Sequence, residues 1–385
     1  GLRFGIFALF LLYGQPAADL LHPQGLRTFS GKKPLRRSAM HRAARRLAAH
    51  AAAHFAVDFS CFFALWVSTL RGENAAFMVL LYNALAFALQ APLGALCDRL
   101  DDARPLTVLG CGLVAWGVLA CAFPLPSVIL LGLGNALFHV GGAVTSLRHC
   151  PGDAFSAGAY VAPGALGVAL GTLCGKGMLI SPFSAVLLLV ACIGFIWFCG
   201  MGAPRACVPN RTPSPMEHLG TAAIMLCLVS IGIRSFAGFT VMTLSGAPVF
   251  VLLGAFASCL GKFSGGIFAK RIPWRVIGLL GVGLGGLMMA FFPASYATYT
   301  GVFLFNLAMP LTLSAVMAAM PETMGFGFGL TTLFLFLGCA PLYALPDNYK
   351  APVPVLLAST LGGIPAVFRA ARKTGATAGS RAAFK

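Results

Sequence analysis

Gln90-Ala-Pro-Leu-Gly-Ala-Leu-Cys-Asp-Arg99 brings a long apolar run to an abrupt end: Gly94 gives way to Asp98, Arg99 and then Leu100-Asp-Asp-Ala-Arg104. About 170 residues later the phrase recurs as Lys262-Phe-Ser-Gly-Gly-Ile-Phe-Ala-Lys-Arg271. Matching Arg99 to Arg271 places Gly94 on Gly266, Gln90 on Lys262 and Asp98 on Lys270. Glycine lets two helices approach closely in lipid. The charged turn one helical turn further on marks the water boundary. Two copies at one spacing imply a membrane protein made of two parallel halves.

A second repeat lies at nearly the same offset. Gly132-Leu-Gly-Asn135-Ala-Leu-Phe-His139 matches Phe303-Leu-Phe-Asn306-Leu-Ala-Met-Pro310, with Asn135 on Asn306 and His139 on Pro310. Agreement of two phrases at one offset argues for duplication over chance.

The composition fits this reading. Mean hydropathy is +0.87. Only 10% of the residues are charged and 58% are hydrophobic, more than a water-soluble chain of 385 residues needs. Several apolar runs exceed the ~18 residues that identify a spanning helix. The predicted spans are 47–70, 73–97, 106–123, 126–147, 156–180 and 182–202, then 219–241, 247–269, 273–293, 296–319, 324–345 and 351–370. Proline, glycine or charge punctuates nearly every junction. Residues 203–218 form the longest internal polar segment and read as the linker between two six-helix halves, 47–202 and 219–372. Residues 373–385 read as a basic tail.

Residues 1–46 differ from the rest. A short apolar run, Leu2 to Tyr13, precedes a basic stretch with Lys32, Lys33, Arg36, Arg37, Arg42, Arg45 and Arg46. A cleaved signal peptide would send that stretch outward, against the positive-inside tendency. The expectation is a poorly ordered extension over 1–46, with Met40 a plausible start and 1–39 dispensable. A thirteenth helix is the alternative.

The formal charge of +17 would suggest nucleic acid in a soluble protein. Here the bases follow topology, and no nucleic-acid partner is expected. One set of loops holds Arg99, Arg104, Arg148, Arg205, Arg211, Lys270, Arg271 and Arg275 together with both basic tails. The opposite set holds only Arg71, Lys176 and Lys350. Both termini are therefore expected in the cytoplasm, in the inner membrane of a bacterium. The twelve cysteines form no CxxC pair and mostly lie in apolar runs, where they serve as small hydrophobes. There is no P-loop and no zinc spacing such as HExxH, so neither cofactor nor metal is expected.

Polar side chains inside hydrocarbon are costly, so their short list is informative. His50, His54 and Asp58 follow at i, i+4, i+8 on one face of the first span. Asn83 and Gln90 share a face with Gly94, and Asn135 shares one with His139. Ser230 and Arg234 stand four apart in the seventh span; the eighth carries Lys262 and the tenth Asn306. Asp58 is the one acid deep inside any predicted span. A buried carboxylate exchanges protons near neutral pH when no cation stands beside it. Asp58, His54 and Arg234 are thus candidates for proton coupling. Asn83, Gln90, Asn135, His139, Lys262 and Asn306 are candidates for substrate binding. Gly94, Asp98, Arg99, Gly266 and Arg271 form a candidate gate.

Gly94-Ala-Leu-Cys-Asp-Arg99 resembles the loop motif of the major facilitator superfamily, although Leu100-Asp-Asp replaces its usual basic continuation and Lys270 replaces the second acid. His54-Phe-Ala-Val-Asp58, Gly134-Asn-Ala-Leu-Phe-His-Val-Gly-Gly142 and Gly261-Lys-Phe-Ser-Gly-Gly266 resemble its fosmidomycin-resistance-type branch. Pro163-Gly-Ala-Leu-Gly-Val-Ala-Leu-Gly171 is similar to the glycine-rich motif of proton antiporters, though tight packing around a proline bend accounts for it equally. The resemblance implies an all-α membrane protein of twelve transmembrane helices in two pseudo-symmetric six-helix bundles. It also implies that the first and seventh spans line one cavity, with Arg234 as partner of Asp58. The implied activity is proton-coupled export of a small polar molecule or drug by a monomer in the lipid bilayer. Proton-coupled uptake of an anionic metabolite, clamped by Arg234 and Lys262, is the alternative within transport. A membrane-embedded lipid-modifying enzyme using His54, Asp58 and His139 is the alternative of another class; the duplication argues against it, and no enzyme is expected.

Overall fold

The computed structural model describes residues 33–69, 72, 74–148, 150, 152–200, 220–242, 247–292 and 295–345. Eleven helices carry the described chain. They are α1 (Lys33–Ser68), α2 (Ala75–Cys97), α3 (Arg104–Leu119), α4 (Pro124–Leu147), α5 (Ala154–Gly177) and α6 (Pro182–Gly200). The second set is α7 (Thr221–Met242), α8 (Pro248–Phe268), α9 (Trp274–Phe291), α10 (Tyr296–Ala319) and α11 (Met324–Cys339). Each falls on one predicted span. All but α3 belong to a helical segment long and apolar enough to cross a membrane, which for α11 runs from Pro321 to Tyr343. The predicted span 351–370, the linker 203–218 and the basic tail lie outside the described residues.

The first helix departs from its predicted limits. It starts at Lys33 rather than near residue 47, so Met40 lies inside it and 33–46 are helical rather than a poorly ordered extension. The predicted boundary follows charge, yet alanine and arginine are strong helix formers and nothing between 40 and 47 stops the helix. Arg46 is buried, within electrostatic reach of Asp102 and Arg104 in the turn before α3. There Arg104 bonds both oxygens of Asp102, and this pairing holds the Asp102 carboxyl below the usual carboxylate range against the opposing effect of burial.

Packing within the halves repeats. α1 lies along α5, and α7 lies along α11; α3 packs on α4, and α9 on α10. Each half has its own buried core. One is built around Phe63, Tyr82, Leu131 and Phe138, the other around Leu228, Ile277, Phe305 and Leu311. Large exposed apolar side chains such as Trp116, Phe183, Trp197 and Phe291 face outward, as lipid-facing surfaces require. The α1–α5 contact is a glycine ladder. A Cβ on Gly167, Gly171 or Gly175 would strike the carbonyl of Phe55, Phe59 or Phe63 respectively. The glycine-rich phrase of the fifth span therefore has a packing role.

The halves meet through two equivalent seams, α2 against α11 and α8 against α5. Gly94 and Gly325 face each other so closely that a Cβ on either would collide with the other's carbonyl. In the second seam a Cβ on Gly266 would strike Ala154 and Phe155. One turn deeper, Gly329 abuts the carbonyl of Gln90, and Gly158 abuts the carbonyl of Lys262. The repeat partners Gly94/Gly266 and Gln90/Lys262 thus occupy matching places in matching seams, as duplication requires.

Candidate functional site

The polar residues of α1 and α4 converge into one buried cluster. The i, i+4 spacing presents His54 and Asp58 on one face, and the same spacing on α4 presents Asn135 and His139. His54 Nε2 lies 3.3 Å from Asp58 Oδ2, and His139 Nε2 lies 3.6 Å from Asp58 Oδ1. The two imidazole Nε2 atoms are 2.9 Å apart. Asn135 Nδ2 donates to Asp58 Oδ1 at 3.2 Å and approaches Cys61 Sγ. On the third side stands α5. A Cβ on Gly164 would come to 2.5 Å from Asp58 Oδ2 and 2.6 Å from His54 Nε2.

The hydrogen bonds order the protons. His139 Nδ1 is 2.8 Å from the Asn135 carbonyl, which can only accept, so Nδ1 carries a hydrogen. In the neutral ring Nε2 of His139 is then an acceptor. The hydrogen between the two rings therefore belongs to His54 Nε2, which points at both His139 and Asp58. This leaves His54 Nδ1 as a buried lone pair with no hydrogen-bond partner. An added proton has three acceptors to choose from: His139 Nε2, the Asp58 carboxylate and His54 Nδ1.

Two neighbours complete it that the sequence did not single out. Tyr160 packs its ring 4.9 Å from that of His54 and donates its hydroxyl to the His139 carbonyl. Gly164 clears the space. Gly164 belongs to the glycine-rich phrase of the fifth span, but only contact shows that it faces Asp58 and His54, and only contact reveals Tyr160.

Arg234 is not the partner of Asp58. Among the described residues the ion pairs of Asp58 are to His54 and His139. Arg234 Nη2 donates instead to Thr312 Oγ1 on α10 at 2.7 Å, and Nε donates to the Ser230 carbonyl. The carboxylate is satisfied within its own half, and the guanidinium within the other. Lys262, at the α5–α8 seam, forms no salt bridge among the described residues either. Arg234 and Lys262 thus form no ion pair among the described residues, although Lys262 lies within electrostatic reach of Asp58.

The other candidates divide between the seams and helix packing. Asn83 donates to the Tyr343 hydroxyl at 2.5 Å and to the Val79 carbonyl. Gln90 is fully buried, donates to the Ala86 carbonyl and keeps Oε1 unpartnered. Both lie on the α2 side that meets α11. Asn306 accepts from Ser258 on α8 and donates to Val302 within α10. His50 sits one turn before His54, with Nδ1 on the Arg46 carbonyl.

At the end of the first seam the Asp98 carboxylate accepts from the backbone N–H groups of Gly325 (2.7 Å) and Phe326 (2.8 Å). These are free N–H groups of the first turn of α11, which has no side-chain cap of its own. At the matching end of the second seam, α5 is capped by its own Asp153, through Ser156. There the counterpart of Asp98 is Lys270, which lies over the Phe155 ring at 4.6 Å. Arg99 and Arg271 are exposed to solvent.

No family model matches the sequence, and no curated protein matches it. Solved structures do. The human organic anion transporter MFSD10 (TETRAN) is 17% identical, with TM-score 0.61 over 85% of this chain and 99% of that one. The E. coli fucose:proton symporter FucP is 12% identical, with TM-score 0.55 over 85% and 98%. A bacterial homologue of the iron transporter ferroportin, in its outward-facing state, is 13% identical, with TM-score 0.53 over 86% and 98%. The chain has the major facilitator fold and is an integral membrane protein.

Proposed function

We propose that this protein is a secondary transporter that moves a small anionic solute together with a proton. The observation that carries the reading is the division of charge between the halves. Asp58, with His54 and His139, holds the transferable proton in the first half; Arg234 and Lys262 form no ion pair among the described residues of the second, and Lys262 stands within electrostatic reach of Asp58. Isolated cations in hydrocarbon are expensive, and an anion between them would offset that cost. Protonating Asp58 removes a nearby negative charge, so proton and anion each raise the affinity for the other. Cooperative binding of this kind gives symport. The fold supports transport over lipid chemistry, since the three solved structures compared above are transporters. By the positive-inside tendency of the basic loops, the Asp98 end faces the cytoplasm of a bacterial inner membrane, and the two seams close that end.

Proton-coupled export of a drug is the second reading, favoured by the sequence phrases shared with the fosmidomycin-resistance-type branch. A cationic or neutral drug would compete with the proton, which gives antiport. Purified protein in liposomes separates the two. A panel of organic anions, sugar phosphates, amino acids and cationic drugs is offered under an imposed pH gradient, with and without an uncoupler. Symport predicts that an anion accumulates on the side toward which protons flow and that the uncoupler abolishes accumulation. A drug moving opposite to the proton would establish the second reading. Movement indifferent to the pH gradient would defeat both.

A further inference from the structure

We propose that His54, Asp58 and His139 also form a binding site for a divalent transition-metal ion, which competes with the carried proton. The inference rests on the reading of this cluster as the proton site, and it names a ligand that no sequence motif announces. Neither an HExxH phrase nor a cysteine pair is present, because the donors come from two helices, with the two histidines 85 residues apart in the chain. Their atoms all lie within 4.8 Å of one another.

The spacing is the first argument. Bonds from zinc to imidazole nitrogen or carboxylate oxygen are about 2.0–2.2 Å, so donors on one tetrahedral ion stand about 3.4 Å apart, and cis donors on an octahedral one about 3 Å. Here the two imidazole Nε2 atoms are 2.9 Å apart, His54 Nε2 is 3.3 Å from Asp58 Oδ2 and His139 Nε2 is 3.6 Å from Asp58 Oδ1. Two imidazole nitrogens and a carboxylate that offers one oxygen to each ring thus stand close to the spacing of one coordination shell. Two imidazoles and one carboxylate suit zinc, iron(II), cobalt(II) or nickel(II), and suit calcium or magnesium poorly.

The outer contacts are the second argument. A ligating histidine characteristically donates its other ring N–H to a carbonyl or carboxylate, which fixes the tautomer. His139 Nδ1 does so to the Asn135 carbonyl, leaving the Nε2 lone pair directed at the cluster. Asn135 Nδ2 holds the carboxylate by Oδ1. The His54 Nδ1 atom has no partner, so the hydrogen on Nε2 can move there and free Nε2 for the metal. Gly164 leaves room beside Asp58 Oδ2 and His54 Nε2 that any other residue would fill. Three protein donors leave a fourth position for water or solute. A metal and a proton cannot occupy the cluster together, because both use the same lone pairs.

The test is titration of the purified full chain in detergent with Zn2+ by calorimetry, and with Co2+ by visible absorption. The expected result is one ion per chain, with affinity reduced at least tenfold in His139→Asn and in His54→Asn. Asp58→Asn, isosteric with the native side chain, covers the case in which a histidine variant fails to fold. Zn2+ should also slow proton-coupled flux in liposomes of the parent protein and leave the residual flux of Asp58→Asn unchanged. A folded protein that binds no ion, or whose binding survives the substitutions, overturns the proposal whatever its transport activity. Binding that is lost on substitution in a protein that moves no solute supports the metal site and counts against the transport reading instead.

Discussion

Asp58 is the side chain on which the proposed coupling rests. Asp58→Asn keeps its shape and removes its charge, so it mimics the protonated state. We expect it to abolish accumulation driven by a pH gradient while leaving downhill solute exchange; gradient-driven accumulation by this variant, with an unchanged pH profile, would remove Asp58 from coupling. Gly164→Ala tests the same cluster from the opposite helix. The atoms nearest the added methyl are the ends of the Asp58 and His54 side chains. The fold should therefore survive, with coupled transport falling at least tenfold as the cluster is pushed apart; parent-like activity would show that the space beside Asp58 is not used. Each half of this cluster is legible in the sequence, because helical period alone puts His54 with Asp58 and Asn135 with His139. The expected pairing of Asp58 with Arg234 fails for a physical reason. Charge complementarity says which residues attract but not which are near, and Thr312, a residue without formal charge, takes the guanidinium.

Among the elements, the seams are where glycine chemistry decides the geometry. Gly94 and Gly325 allow α2 and α11 to touch backbone to backbone, and Asp98 then reaches the two free N–H groups of Gly325 and Phe326. A side chain that caps a helix contributes about 1 kcal/mol, and a charged acceptor adds to that through the helix dipole. Asp98→Ala should therefore loosen this end by about 1–2 kcal/mol. Cys97, fully buried beside it, reports the loosening: its alkylation, mapped by mass spectrometry, should speed up about tenfold or more. An unchanged rate would mean that the seam does not depend on the cap. Gly94 and Asp98 are recognisable as a candidate gate from the abrupt end of the apolar run. Their partner helix is not, because Met324-Gly-Phe-Gly carries no charge to match. The start of α1 escapes the sequence for a related reason: basic residues mark a membrane boundary, but they do not end a helix.

Across the whole molecule, the duplication explains an asymmetry that the repeats alone leave open. Asp98 and Lys270 are equivalent positions of opposite charge. The reason lies in the helices they face. α11 has no side-chain cap at its start and takes Asp98 from the other half, whereas α5 begins with Asp153 and has no need of a second acid. A carboxylate at position 270 would bring a second acid to the start of α5, whereas the lysine there rests on the Phe155 ring. The two seams thus solve one problem, the unpaired N–H groups of an entering helix, once across the halves and once within a half. This makes the solutions exchangeable. Asp153→Ala should weaken the α5–α8 seam and lower the thermal unfolding midpoint in detergent, by an amount equivalent to about 1 kcal/mol. Lys270→Asp alone should lower it as well, through repulsion between like charges. Combined, the two substitutions convert the second seam into a copy of the first, with the new carboxylate at position 270 capping α5 from α8. The double variant should be more stable than either single one, a coupling of opposite sign to the sum of the parts. If the double variant instead unfolds at or below the sum of the single effects, positions 98 and 270 are not equivalent in space. The pseudo-twofold would then describe the helices without describing the contacts that hold these ends together.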